Sequence, residues 1–138
     1  MQSKNAPVVL VVDDEAPVRA VERRVLEHLG YSVLEATNGT DLVEVLAAGT
    51  RIDLLIADLD MPVVRGDEMA RRVRRARPDL PVLYVTGHVD WLMEHPLEEG
   101  EAFLEKPFTA AGLLEAVSRL LNSAPGDSGG PSKLIVNG

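Results

Sequence analysis

Five polar residues stand where short apolar runs stop: Asp13 and Asp14 after Val8–Val12, Asp58 after Asp53–Ala57, Thr86 after Val82–Val85, and Lys106 after Ala102–Glu105. Brought together, three carboxylates would raise one another's pKa unless a cation offset them. A hard divalent ion with several retained waters suits such oxygen ligands, and Mg²⁺ or Mn²⁺ held directly by Asp14 and Asp58 answers the charge problem. Three carboxylates, a divalent cation and the Lys106 ammonium sum to neutrality, so the pocket can admit an anionic phosphoryl group. Thr86 could then donate to a phosphoryl oxygen and Lys106 act as a point charge. Phosphoryl transfer asks a protein mainly for positioning and charge stabilisation, and a carboxylate such as Asp58 can serve as the nucleophile.

Such convergence requires the runs to be adjacent strands. Val8–Val12, Ser32–Glu35, Asp53–Ala57, Val82–Val85 and Ala102–Glu105 are short and rich in Val, Ile, Leu and aromatics, which predicts five strands. Between them lie helical patterns. Val18, Val21, Val25 and Leu29 recur at helical spacing, with Pro17 suited to the first turn and Gly30 to the stop. Further helices are predicted from about Thr40 to Ala48, from Gly66 to Arg77 before Pro78, and from about Thr109 to Leu121 with an apolar stripe of Leu113, Leu114, Val117, Leu120 and Leu121. Pro96 interrupts the segment from Val89 to Gly100, where a short or loop-like element is expected. Strands alternating with helices imply an α/β doubly wound, flavodoxin-like parallel sheet of order 2-1-3-4-5, with its ligand beyond the strand C-terminal ends. Residues 1–7 read as a lead, 8–121 as the domain, and 122–138, rich in Gly, Ser and Pro, as a flexible tail or a cloning remnant.

Composition narrows the functional classes. A chain of 138 residues with 46% hydrophobic content suits one folded domain. Its net charge of -8 disfavours nonspecific nucleic-acid binding and attraction to anionic membranes, so no direct nucleic-acid or membrane partner is expected. The absence of cysteine excludes disulfides and thiolate chemistry and fits a cytoplasmic location. No apolar run approaches the ~20 residues needed to span a bilayer.

The stretches VVDDE at 11–15, DLDMP at 58–62, VTG at 85–87 and EKPF at 105–108 resemble, in order and spacing, the response-regulator receiver family of two-component signalling, over roughly Val8 to Leu121. The resemblance implies Asp58 as phosphoacceptor, Asp13 and Asp14 as the acidic metal-binding pair, and the Asp60 backbone carbonyl as a further metal ligand. It implies Thr86 and Lys106 as the switch pair, a cis Lys106–Pro107 bond, and Phe103 as a switching aromatic. The donor would be a histidine kinase or a histidine phosphotransfer domain, the output an unidentified downstream protein, and the chain no conventional enzyme but a catalyst of its own phosphorylation and dephosphorylation.

Two departures stand out. Gly87 follows the threonine where many receivers carry alanine, and the Pro96 segment replaces a regular fourth helix; both resemble receivers attached to hybrid sensor kinases, alongside stand-alone regulators. A haloacid-dehalogenase-like phosphatase also has a strand ending in Asp-x-Asp, as LLIADLD does, but places it on the first strand. A degenerate docking receiver would have lost an acidic residue, the Thr or the Lys, and none is lost. His28, His88 and His95 fit no compact zinc spacing. In the Arg-rich stretch, Asp67–Arg71 and Glu68–Arg72 suit solvated i,i+4 pairs.

Overall fold

The computed structural model describes residues 6–60, 66–122 and 133–137. Its elements run β1 (Val8–Val12), α1 (Ala16–His28), β2 (Ser32–Ala36), α2 (Gly39–Ala47), β3 (Leu54–Asp58), α3 (Gly66–Ala76), β4 (Val82–Thr86), α4 (Trp91–Glu94), β5 (Glu101–Glu105), α5 (Ala110–Asn122) and β6 (Lys133–Asn137). The strands form one sheet of order β2-β1-β3-β4-β5-β6, parallel throughout.

Both sheet faces are buried, which is why the central strands β1, β3 and β4 are near-continuous apolar runs rather than alternating. Leu10, Val12, Leu55, Ala57, Val82, Tyr84 and Phe103 point to one face, under Leu42 of α2 and Met69, Ala70 and Val73 of α3. Val9, Val11, Leu54, Ile56, Leu83, Val85, Ala102 and Leu104 point to the other, under Leu26 of α1 and Leu113, Ala116, Val117 and Leu120 of α5. Each fully buried large aliphatic side chain contributes roughly 1.5–3 kcal/mol from removal of apolar surface.

The expected 2-1-3-4-5 order is present, and two features depart from the sequence-based expectations. The first is a sixth strand. Lys133–Asn137 pairs in parallel with β5, from Glu101↔Lys133 to Glu105↔Asn137, where a flexible tail was expected. The β-branched Ile135 and Val136 suit an extended strand, and β5 would otherwise leave a row of unpaired edge groups. The helix before that segment also runs one residue further than expected, to Asn122.

The second departure is the buried face of α1. Val21 and Leu29, expected to face the core, are 58% and 56% exposed, whereas Glu22 and Leu26 are buried. The helix turns the 18-22-25-26 face inward, with Val25 packed on the core, so a carboxyl group occupies a core-facing position. The helix still stops as expected, with Gly30 at φ +91°.

The short element expected between Val89 and Gly100 is α4, a single turn from Trp91 to Glu94. Trp91 stacks on His95 with ring centroids 4.3 Å apart and tilts against Tyr84 at 5.4 Å. Tyr84 in turn donates to Glu101 Oε2 at 2.8 Å, and Glu101 Oε1 accepts from the Glu98 backbone N–H at 2.7 Å. These contacts hold the irregular segment against β4 and β5. The Asp67–Arg71 and Glu68–Arg72 ion pairs form along α3; the second is solvated as expected, whereas Asp67 is buried.

Candidate functional site

Strand register assembles the site. Val12 lies opposite Ala57, so the next residues, Asp13 and Asp58, emerge side by side at the ends of β1 and β3. Asp58 lies opposite Val85, which brings Thr86 to the same end. Thr86 pairs with Glu105, and the Lys106 N–H donates to the Thr86 carbonyl at 2.9 Å, extending the ladder by one residue. Parallel strands thus deliver Asp13, Asp58, Thr86 and Lys106 to one edge of the sheet.

Asp58 is 2% exposed. Its Oδ1 accepts from the Lys106 ammonium at 2.9 Å and from the Asp60 backbone N–H at 3.0 Å. Its Oδ2 is buried with no hydrogen-bond partner. Asp13, also buried, accepts the Glu15 N–H at 2.8 Å, while its backbone carbonyl accepts from Arg19 at 2.8 Å. Burial, reinforced by the charge of Asp58, pushes the Asp13 carboxyl up to about 6. Asp14 is exposed at the mouth. Lys106 is held above the usual lysine range: burial opposes its charge, and the adjacent Asp58 and Asp60 carboxylates outweigh that effect.

The acidic residues fit a divalent cation. Asp13, Asp14, Glu15 and Asp58 each offer a carboxylate oxygen, all within 4.8 Å of one another, and one of those groups carries an orphaned buried oxygen. An all-oxygen donor set of this kind suits a hard ion such as Mg²⁺. Glu15 joins the group although the sequence reading passed over it; its place directly after the Asp13–Asp14 pair was the available signal.

Asp60, expected as a backbone ligand and a residue at the pocket rim, also makes side-chain bonds: its Oδ1 accepts from the Thr86 hydroxyl at 2.6 Å and its Oδ2 from the Gly87 N–H at 2.9 Å. Lys106 Nζ lies 3.4 Å from the same carboxylate. Burial raises the Asp60 pKa, but the bonds from Thr86 and Gly87 and the charge of Lys106 more than compensate, holding it below the usual carboxylate range. Thr86 is fully buried, and its hydroxyl also accepts the His88 N–H at 2.9 Å. A Cβ on Gly87 would sit 3.8 Å from Asp60 Oδ2, an ordinary contact, so the pocket could also hold an alanine there.

The remaining expected residues are placed as follows. The Lys106–Pro107 bond is cis. Phe103 is 1% exposed and packed in the core face that includes Tyr84. Met61 and Pro62 of the DLDMP stretch lie outside the described residues. His88 is exposed beside the pocket, and His95 Nδ1 lies 3.0 Å from the Trp91 carbonyl; neither joins the acidic group.

Comparison with known proteins agrees with this geometry. A response regulator receiver domain model matches residues 9–118. The sensor kinase CckA of Brucella abortus is 32% identical over 82% of this chain, and the response regulator MprA of Mycobacterium sp. strain KMS is 36% identical over 93% of it. The chain spans 12% of the first relative and 56% of the second. Among solved structures, a response regulator receiver protein from Sinorhizobium medicae matches with a TM-score of 0.76 at 31% identity, covering 88% of this chain and 98% of that one. The receiver domain of the hybrid histidine kinase CckA matches at 0.69 and 34%, covering 83% and 99%. With most of its length matched and a pocket of carboxylates, threonine and lysine at the strand ends, this chain belongs to the response-regulator receiver family.

Proposed function

We propose that Asp58 accepts a phosphoryl group from a phosphohistidine on a kinase or histidine phosphotransfer domain. The observation that carries this is the asymmetry of its carboxylate: Oδ1 is held by Lys106 and the Asp60 N–H, while Oδ2 has no hydrogen bond. An oxygen of Asp58 forms a bond to phosphorus as the P–N bond to imidazole breaks, and the imidazole leaves with the electron pair. Later attack of water on phosphorus breaks the P–O bond, releasing inorganic phosphate and restoring the carboxylate.

Asp13, Asp14, Asp58 and the Asp60 carbonyl would hold Mg²⁺ or Mn²⁺, which when bound supplies positive charge to the phosphoryl oxygens. Lys106 adds a second positive charge, and the Thr86 hydroxyl turns to a phosphoryl oxygen. Movement of Thr86 is coupled to the packing of Phe103 beneath it and thereby to a protein-docking surface around β5 and α5, with the cis bond before Pro107 shaping the turn that carries Lys106. The unit that does this spans about residues 8–121, works in the cytoplasm, and passes its signal to a protein rather than to nucleic acid or membrane.

Intact-mass measurement after incubation with Mg²⁺ and acetyl phosphate tests this. One phosphoryl addition, dependent on Mg²⁺ and absent from Asp58→Ala, is expected. Equal labelling of Asp58→Ala overturns the assignment.

A further inference from the structure

The Asp60 carboxylate is half-buried at the strand ends. It draws on three donors from two strand ends: the Thr86 hydroxyl at 2.6 Å, the Gly87 N–H at 2.9 Å and the Lys106 ammonium at 3.4 Å. Thr86 and Gly87 follow β4, and Lys106 follows β5, so no local turn geometry produces this combination. A hydroxyl, a backbone N–H and an ammonium converging on two oxygens is the donor set that recognises a tetrahedral oxyanion. Asp60 also shares with Asp58 the Lys106 cation, and its own N–H is fixed on Asp58 Oδ1, so the two carboxylates sit on adjacent arms of one loop.

We propose that the Asp60 carboxylate is an internal stand-in for the phosphoryl group, occupying its donors on Thr86, Gly87 and Lys106 until a phosphoryl group on Asp58 displaces it. The proposal rests on the reading of Asp58 as phosphoacceptor. Its consequence is that Thr86 faces the pocket before any phosphoryl group arrives. Phosphorylation then exchanges one anion for another at these donors, and Thr86 leaves Asp60 for the phosphoryl oxygen at the cost of its bond to Asp60. Asp60 acts as a positioning residue through Thr86 and as a competitor for the incoming anion.

The test uses beryllofluoride with Mg²⁺ as the phosphoryl mimic and follows backbone amides of the whole chain by ¹H–¹⁵N NMR in wild type, Asp60→Ala and Asp60→Asn. In free Asp60→Ala the Thr86, Gly87 and His88 amides are expected to shift, and beryllofluoride is expected to return them toward their positions in free wild type. Affinity for beryllofluoride should rise roughly fivefold or more in Asp60→Ala, because a charged competitor for these donors is gone, and rise less in Asp60→Asn, which keeps an acceptor oxygen. Should Asp60→Ala fail to fold, the Asp60→Asn comparison decides by the same two readouts. Unmoved Gly87 and Thr86 amides in the free variant, or unchanged or weaker affinity, overturn the Asp60 assignment alone. Failure of wild type and both variants to bind beryllofluoride, matching an Asp58→Ala control, overturns the phosphoacceptor reading together with it.

Discussion

The Lys106 ammonium donates to Asp58 Oδ1 at 2.9 Å across a separation of 48 residues, joining the ends of β3 and β5 through a carboxylate that is almost fully buried. Removing the cation leaves buried negative charge with less compensation, which is costly. Lys106→Ala is therefore expected to destabilise the metal-free protein by about 1–2 kcal/mol, a value discounted from the fully buried case because Lys106 keeps partial solvent access. Urea denaturation with and without Mg²⁺ checks this: the deficit should shrink when the ion is present, and a deficit that grows with Mg²⁺ would argue against a shared charge balance.

Glu22 gives a pH signature. Burial, then the charges of Asp13 and Asp58, push its carboxyl up to about 8 from 4.5, and its Oε1 has no hydrogen-bond partner. Between those two pH values the folded state holds a proton that the unfolded state has released. Stability is therefore greatest with respect to this group below 4.5, falls as pH rises, and has lost the full increment above about 8. The slope is ~1.4 kcal/mol per pH unit at most. Glu22→Leu, placing an aliphatic side chain beside Val25 and Leu26, is expected to flatten this slope and to stabilise the protein at pH 8 by about 2 kcal/mol. Thermal unfolding from pH 5 to 9 measures both; a Leu variant less stable than wild type at pH 8 would show that Glu22 has a compensating partner in solution.

Asp14 separates metal binding from folding. It is exposed, whereas Asp13 and Asp58 are buried. Asp14→Asn should change metal-free stability by less than about 0.5 kcal/mol, as for surface positions generally. Wild type should gain about 2.7 kcal/mol at Mg²⁺ concentrations a hundredfold above the dissociation constant, and the variant should gain far less. Calorimetric unfolding across a Mg²⁺ titration distinguishes these, and equal stabilisation of both proteins would place the ion elsewhere.

How much was legible depended on whether a residue's role left a periodic or positional trace. Strands β1, β3, β4 and β5 were readable because each is a short, mostly apolar run closed by Asp, Thr or Glu-Lys, and parallel register then converts those endings into one pocket. The inward face of α1 was misread because hydrophobic periodicity assigns a glutamate to solvent, and Glu22 violates that rule. The sixth strand was missed because five residues carry little pattern of their own beyond a Gly-, Ser- and Pro-rich stretch; the open edge of β5 that receives them exists only in three dimensions. The bond between Asp60 and Thr86 left no trace, since the two lie 26 residues apart and only the sheet brings them together.

Where the phosphoryl group lands decides the matter. Borohydride reduces an aspartyl phosphate to homoserine, so treatment after phosphorylation in Mg²⁺, followed by peptide mass spectrometry, marks the acceptor. Homoserine at position 58, dependent on Mg²⁺, with Asp13, Asp14 and Asp60 intact, is the expected result. Homoserine at Asp14 or Asp60 in the wild-type chain, or a phosphoryl adduct that leaves Asp58 unreduced, would mean that the pocket is built around a different acceptor.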